Sequence, residues 1–174
     1  MKLRDILLSV RFGLGDAEAA VYSDSEIIES ANSVMRYANT ALVNLGSSIA
    51  KKKTTLTPVD GEVALPDDFI AMDNLIYDED SYEAPTYLIL GNVMYTKLPI
   101  TFSYFYNFIP ITDIDLKLPL PEFFYEMIVR FTEAFTTKSV GKDVLSQVIY
   151  KEIANATIGR EYATIERPMP FTIR

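Results

Sequence analysis

Few residues in this chain have the types and spacing that catalysis requires. The 174 residues include no His, no Cys and no Trp. This excludes a Cys–His nucleophile pair, a Ser–His–Asp triad, a disulfide and a zinc site built from Cys and His. Ser139 and Lys142 match the Ser-x-x-Lys spacing of serine acylases, but the companion motifs are missing and Gly141 indicates a helix break between them. We therefore predict no catalytic residue and no enzyme.

Two other motifs resemble ligand sites and have simpler interpretations. Gly13 and Gly15 follow a helical pattern rather than a strand, which favours a helix C-cap over a dinucleotide site. The acids Asp78, Glu79, Asp80 and Glu83 could hold a divalent cation, but a calcium loop requires ligands at fixed positions around a central glycine. A solvated loop is the favoured interpretation, and we predict no metal and no cofactor.

Two adjacent carboxylates, an aromatic run and a lysine triplet are the remaining candidates for a functional site. Asp67 and Asp68 could perform acid–base chemistry in a suitable cleft, but capping of the following segment explains them more simply. The aromatic run from Phe102 to Phe108 lacks the basic groove of a nucleic-acid site, which favours packing in a core or at a subunit interface. Lys51–Lys53 is interpreted as a solvated basic patch.

The charge of the chain is unevenly distributed. Residues 60–126 contain 13 acids and two bases, a net of −11, while the remainder carries +3, which gives the total of −8. Such acidity argues against a general nucleic-acid binder, which needs bases to neutralise phosphates. Two interpretations remain open: a solvated acidic face, or a surface that repels an anion passing close by.

Helical patterns occur at both ends of the sequence. Apolar spacing predicts a helix from Leu3 to Phe12 and a second one up to Gly46, which begins with a capping box formed by Ser23 and Glu26. After Pro121 an aromatic-rich stripe predicts a third helix, and a fourth follows the break at Gly141.

Between these helices the pattern favours short strands. Alternation occurs at 54–57, 62–65 and 100–106, and two strands flank the hairpin dipeptide Gly91-Asn92. The sequence therefore predicts an α+β fold: a four-helix bundle with a small antiparallel β insertion between helices 2 and 3, and an extended C-terminal tail. The predicted domains are a bundle of residues 1–50 and 118–163, an insertion of residues 51–117 and an arm of residues 164–174.

Several segments, taken in order, resemble the head-to-tail adaptor proteins of tailed bacteriophages, also called head completion or connector proteins. The resemblance covers about residues 1–160 and is carried by Leu3–Leu8, Leu14–Asp16, Tyr22–Glu29, Ala31-Asn32, Gly61–Phe69, Tyr95–Tyr106 and Leu118–Glu122. It implies a structural virion protein that forms a ring, a dodecamer in this family, under the portal at the head–tail junction. Such a ring extends the DNA channel and attaches the tail.

The resemblance also implies partners and sites. The expected partners are other copies of the chain, the portal protein, a tail or nozzle protein, and DNA that passes through the channel without specific binding. We expect synthesis in the host cytoplasm and no membrane partner. Portal docking is assigned to the C-terminal segment, through Ile165, Arg167, Met169, Phe171, Ile173 and Arg174. The alternative for this segment is a frayed terminus.

A ring gives the acidic region a mechanism, because carboxylates lining a channel would keep DNA phosphates from adhering. The candidates for this surface are Asp67, Asp68, Asp73, Asp78, Glu79, Asp80 and Glu83. The alternative functions are another phage neck or tail protein, such as a tail terminator or an assembly factor, and, less favoured, a carboxylate-based hydrolase.

Overall fold

The computed structural model describes residues 1–76 and 86–161, with side chains described as far as residue 157. Four helices lie at the two ends of the chain: α1 (Leu3–Leu14), α2 (Asp24–Asn44), α3 (Tyr125–Thr136) and α4 (Lys142–Glu161). Short 3-10 turns at Ser48–Ala50 and Glu122–Phe124 lead out of α2 and into α3.

The ends of the first two helices are set by residues that the sequence pattern identifies. Helix α1 ends at Gly15, whose φ of 65° lies in the left-handed region that glycine adopts without strain. Helix α2 begins with the predicted capping box: the Ser23 hydroxyl accepts a hydrogen bond from the Glu26 amide, and the Glu26 carboxylate accepts one from the Ser23 amide. Both predictions are confirmed.

Helix α2 is the centre of the helical part. Helices α3 and α4 both pack on it, and α1 packs on α3 and α2. The apolar faces of the four helices meet in one core, which includes the fully buried Ile6, Val10, Ile27, Leu42, Ile128, Ile149 and Ile153. These side chains recur at helical spacing, so burial of one stripe per helix accounts for the packing.

The middle of the chain forms six strands in two antiparallel sheets. Their bounds are β1 (Lys51–Leu56), β2 (Glu62–Ala64), β3 (Phe69–Ile76), β4 (Tyr87–Leu90), β5 (Val93–Thr96) and β6 (Ile100–Tyr106). One sheet has the order β1-β6-β3 and the other β2-β5-β4. The predicted hairpin is confirmed, because Gly91-Asn92 joins β4 to β5 and Gly91 has a φ of 60°.

The strands bury a core of their own. Its buried members are Leu65, Met94, Ile100, Phe102 and Tyr104. Tyr106, at the end of β6, packs against both this cluster and the helical core, so it links the two. Within the aromatic run from Phe102 to Phe108, the side chains of Phe102, Tyr104 and Phe108 pack in the interior.

The predicted fold class, a four-helix bundle with one small insertion, is wrong. Within the described residues, four helices are split between the two ends and the middle forms two three-stranded sheets, with 45% of residues helical and 24% in strands. The alternation pattern indicates no strand at Phe69–Ile76, but this segment pairs with β6 as strand β3. Two register shifts interrupt β3, between Phe69 and Ala71 and between Met72 and Asn74, so its sequence lacks the alternation that identifies a strand.

Candidate functional site

The residues predicted to dock onto a portal lie outside the described side chains. Ile165, Arg167, Met169, Phe171, Ile173 and Arg174 all follow residue 161, as does the rest of the predicted arm. Their assignment stays a prediction.

The acidic candidates for a channel surface divide into three groups. Asp78, Glu79, Asp80 and Glu83 lie in the segment 77–85, outside the described residues. Asp67 is exposed in the turn between β2 and β3. Asp68 and Asp73 are held in ion pairs by lysines of β1.

The carboxylate of Asp68 has two partners and little exposure. It lies 2.5 Å from Lys52 Nζ and accepts a hydrogen bond of 3.0 Å from the Tyr104 hydroxyl, and its side chain is 11% exposed. Burial, together with the bond to this carboxylate, raises the pKa of Tyr104 to about 12. The Lys52 ammonium also lies 4.1 Å from the ring centre of Tyr106. The arrangement fixes β1 and β6 to the start of β3 and leaves no free acid–base pair with Asp67.

Asp73 is held on the other face of the same sheet. Its carboxylate lies 2.9 Å from Lys51 Nζ and accepts a 2.9 Å hydrogen bond from the Ser103 hydroxyl. The bond from Lys51 is the main cause that lowers the pKa of Asp73. The lysine patch predicted to be merely solvated therefore pairs in part with the acidic region.

Acids of the middle region also form ion pairs with cations at the start of the chain. Asp115 lies 2.9 Å from Arg4 and 3.8 Å from Lys2, and Glu122 lies 3.2 Å from the N-terminal ammonium. Residues 60–126 contain nine acids in the described part of the chain, and four of them pair with cations of residues 1–52. The acidity of the folded surface is therefore lower than the sequence suggests.

Sequence inspection missed a buried ionic cluster at the end of α1. Arg11 is 7% exposed, and its guanidinium binds the carboxylates of Asp16, at 3.2 Å, and Asp24. Asp16 also accepts hydrogen bonds from the amides of Ala20, Val21 and Tyr22. The bond from Tyr22 is the largest of the causes that lower the pKa of Asp16. The sequence feature that could have indicated this cluster is the position of Asp16, directly after the C-cap Gly15 and before the capping box of α2.

The Ser-x-x-Lys motif lies at the surface. Ser139 and Lys142 are both exposed at the turn between α3 and α4, where the Ser139 hydroxyl is 3.5 Å from the Ala134 carbonyl. Among the described residues, no group of three or more acids could hold a metal ion.

A groove of about 740 Å³ runs between α2 and the segment 107–112. Asn32 fixes one wall, since its side-chain amide exchanges two hydrogen bonds of 2.9 Å with the backbone of Ile111. The lining mixes apolar side chains such as Phe108 and Ile109 with the charged Glu29 and Arg36.

Three exposed surfaces carry apolar side chains away from both cores. The α1 outer face consists of Asp5, Leu8 and Phe12, and the α4 outer face of Val144, Val148 and Lys151. The sheet outer face consists of Leu88, Leu90 and Tyr95, on the exposed side of β4 and β5. Phe12 is the extreme case, with 87% of its surface exposed. Exposed apolar residues grouped in this way mark contact surfaces more often than isolated ones do.

No protein-family model matches the chain, and no curated protein matches it. Within the described part of the chain, no helix is both long and apolar enough to cross a membrane.

Proposed function

We propose that this chain is a structural virion protein, a head-to-tail adaptor that forms a ring under the portal, extends the DNA channel and attaches the tail. The observation that carries this proposal is the set of three exposed apolar surfaces, on α1, on α4 and on the smaller sheet. They belong to both the helical part and the β part.

Separate apolar faces suit a subunit with several neighbours. A ring built head to tail needs two different faces on each copy, and further contacts above and below for the portal and the tail. Interface cores are rich in large apolar and aromatic side chains, as Phe12, Leu88 and Tyr95 are. The lining of the groove along α2 mixes apolar side chains with polar ones, as contact surfaces between proteins commonly do.

Charge supports a channel that DNA crosses without binding. The chain keeps a net charge of −8, and Asp67 is exposed in the turn between β2 and β3. Phosphates gain little from an acidic surface, because binding to DNA depends on cations that replace the counterions of the phosphates. The basic residues Lys51 and Lys52, which could have bound DNA, are engaged by Asp73 and Asp68.

The test is binding to the portal protein of the same genome. The full chain is mixed with assembled portal and the complex is measured by sedimentation and electron microscopy, beside a chain ending at Thr164. We expect the full chain to add a ring of density to one end of the portal, and the shortened chain to lose this binding because residues 165–174 are the predicted docking segment.

A full-length variant with Phe171→Asp is the matched control, since it keeps the length of the tail and removes one apolar contact. It should bind more weakly than the full chain. A full chain that never binds the portal, under conditions in which it is folded, contradicts the adaptor function and favours a tail terminator or an assembly factor.

A further inference from the structure

The outer faces of α1 and α4 have matching spacing in opposite directions. Read backwards along α1, Phe12 is followed four residues later by Leu8 and three further on by Asp5. Read forwards along α4, Val144 is followed four residues later by Val148 and three further on by Lys151. Residues spaced by three and four lie on one side of a helix, so each set forms one stripe.

All six side chains point away from the helical core. Leu8 is 60% exposed and Val144 54%, and Asp5, Phe12, Val148 and Lys151 are also exposed. The cores of α1 and α4 lie on their other sides, at Ile6 and Val10 and at Leu145 and Ile149. The two outer faces of one copy therefore cannot cover each other.

We propose that the α1 outer face of one copy packs antiparallel against the α4 outer face of a second copy. In that register Phe12 lies opposite Val144, Leu8 opposite Val148, and the Asp5 carboxylate opposite the Lys151 ammonium. The apolar pairs supply the burial, and the opposite charges at one end set the direction of the pair. Lys151 has no ion pair within the described part of the chain, so it is available for this contact.

This contact joins two different faces, so each pair of copies leaves one α1 outer face and one α4 outer face uncovered. Such a heterologous interface continues from copy to copy and closes into a ring when the rotation per step allows. The closure into a ring rests on the function proposed above, whereas the pairing of the two faces rests on their spacing and charge.

Disulfide crosslinking tests the register directly, because the natural chain has no cysteine. A variant with Leu8→Cys and Val148→Cys places one thiol on each face, opposite its partner in a neighbouring copy. Oxidation in the presence of the portal should give a ladder of covalent dimers, trimers and longer chains, which reduction removes. The matched control combines Leu8→Cys with Val59→Cys, since Val59 is 74% exposed in the β part. It should give no ladder beyond the dimers of random collision.

A mixing experiment tests the polarity of the contact. Phe12→Asp inactivates one face and Val148→Asp the other, so neither variant should form a ring alone. Mixed together, the two variants should form a one-to-one dimer and nothing larger. The intact α1 outer face of the Val148→Asp variant binds the intact α4 outer face of the Phe12→Asp variant, and the faces that remain carry the substitutions. Circular dichroism checks that both exposed substitutions leave the fold intact.

The outcomes separate this interface from the proposed function. The interface would be overturned if both cysteine pairs gave equal ladders, or if the Leu8/Val148 pair gave none. If the natural chain still formed rings on the portal, the adaptor function would be unaffected. If the tail protein, rather than a second copy, covers one of the two faces, the Leu8/Val148 cysteine pair should give no ladder, and the interface proposed here is wrong. A natural chain that forms no ring with the portal would overturn the adaptor function and the closure into a ring, whereas the one-to-one dimer of the mixing experiment would still support the pairing of the two faces.

Discussion

The guanidinium of Arg11 lies 3.2 Å from the carboxylate of Asp16, and both side chains are more than nine-tenths buried. Three backbone amides of the loop 20–22 donate to the same carboxylate. Removing either charge would leave the other one buried with an incomplete set of partners, which is costly. This pair therefore fixes the loop that carries the chain from the end of α1 to the start of α2.

Asp16→Asn should destabilise the fold strongly, because it leaves Arg11 with a single carboxylate partner, Asp24, that is itself largely exposed. The lowered pKa of Asp16 means that its contribution is present above the ordinary value of 3.8 and is lost as the pH falls through its lower folded value. Thermal melts between pH 3 and pH 7 measure this. Glu18→Gln, an exposed neighbour in the same loop, is the control. Equal melting temperatures for the two variants would contradict the structural role of the pair.

Glu133→Gln should stabilise the protein at neutral pH. The Glu133 carboxylate is pressed against α1, since a Cβ on Gly13 would lie 1.9 Å from its Oε1, and burial raises its pKa. Ionisation is therefore more costly in the folded state, and the penalty grows as the pH rises from the unfolded value of 4.5 through the higher folded value. The gain from glutamine should be full above that range and vanish below about pH 4.5.

Urea unfolding at pH 7 and at pH 4 measures the effect of Glu133→Gln. Glu126→Gln, an exposed carboxylate on the same helix, is the control and should change little at either pH. A gain that persists unchanged at pH 4 would show that the cost of ionising the buried carboxylate is not its cause.

Phe102→Ala should lower the free energy of unfolding by about 3–5 kcal/mol, since it removes a fully buried ring from the core of the strands. Ile149→Ala, in the helical core, should lower it by about 2–5 kcal/mol. Because Tyr106 packs on both clusters, we expect each variant to unfold in one transition. Far-ultraviolet circular dichroism and tyrosine near-ultraviolet signals should then coincide, whereas separate midpoints would show that the strands unfold on their own.

The helices could be predicted because their signals are local. The glycine at position 15 and the capping box at Ser23 and Glu26 act within one turn of the chain, and apolar spacing reports one buried stripe. The sheets depend on partners far away in sequence. Strand β3 is recognisable only beside β6, since its register shifts remove the alternation that a single sequence shows.

The charges show the same distinction between local and distant information. The excess of acids in residues 60–126 is evident from composition, but their neutralisation requires Lys52 to reach Asp68 and Arg4 to reach Asp115 across the fold. The outer faces of α1 and α4 could not be predicted from the sequence for a related reason. Apolar periodicity alone does not tell which apolar residue of a helix meets the core, so Phe12 and Val148 became recognisable as surface residues only once the helices were packed.

Asp67→Lys should slow the passage of DNA through the assembled neck, if the exposed turn before β3 faces the channel as the adaptor function expects. A cation at this position would attract phosphates, and the effect should be largest at low salt because screening weakens it. The measurement is the rate of DNA ejection from virions carrying the variant, at two ionic strengths. Glu18→Lys makes the same change of charge beside α1 and should leave the rate unaltered. Equal ejection rates for both variants at low salt would remove Asp67 from the channel surface.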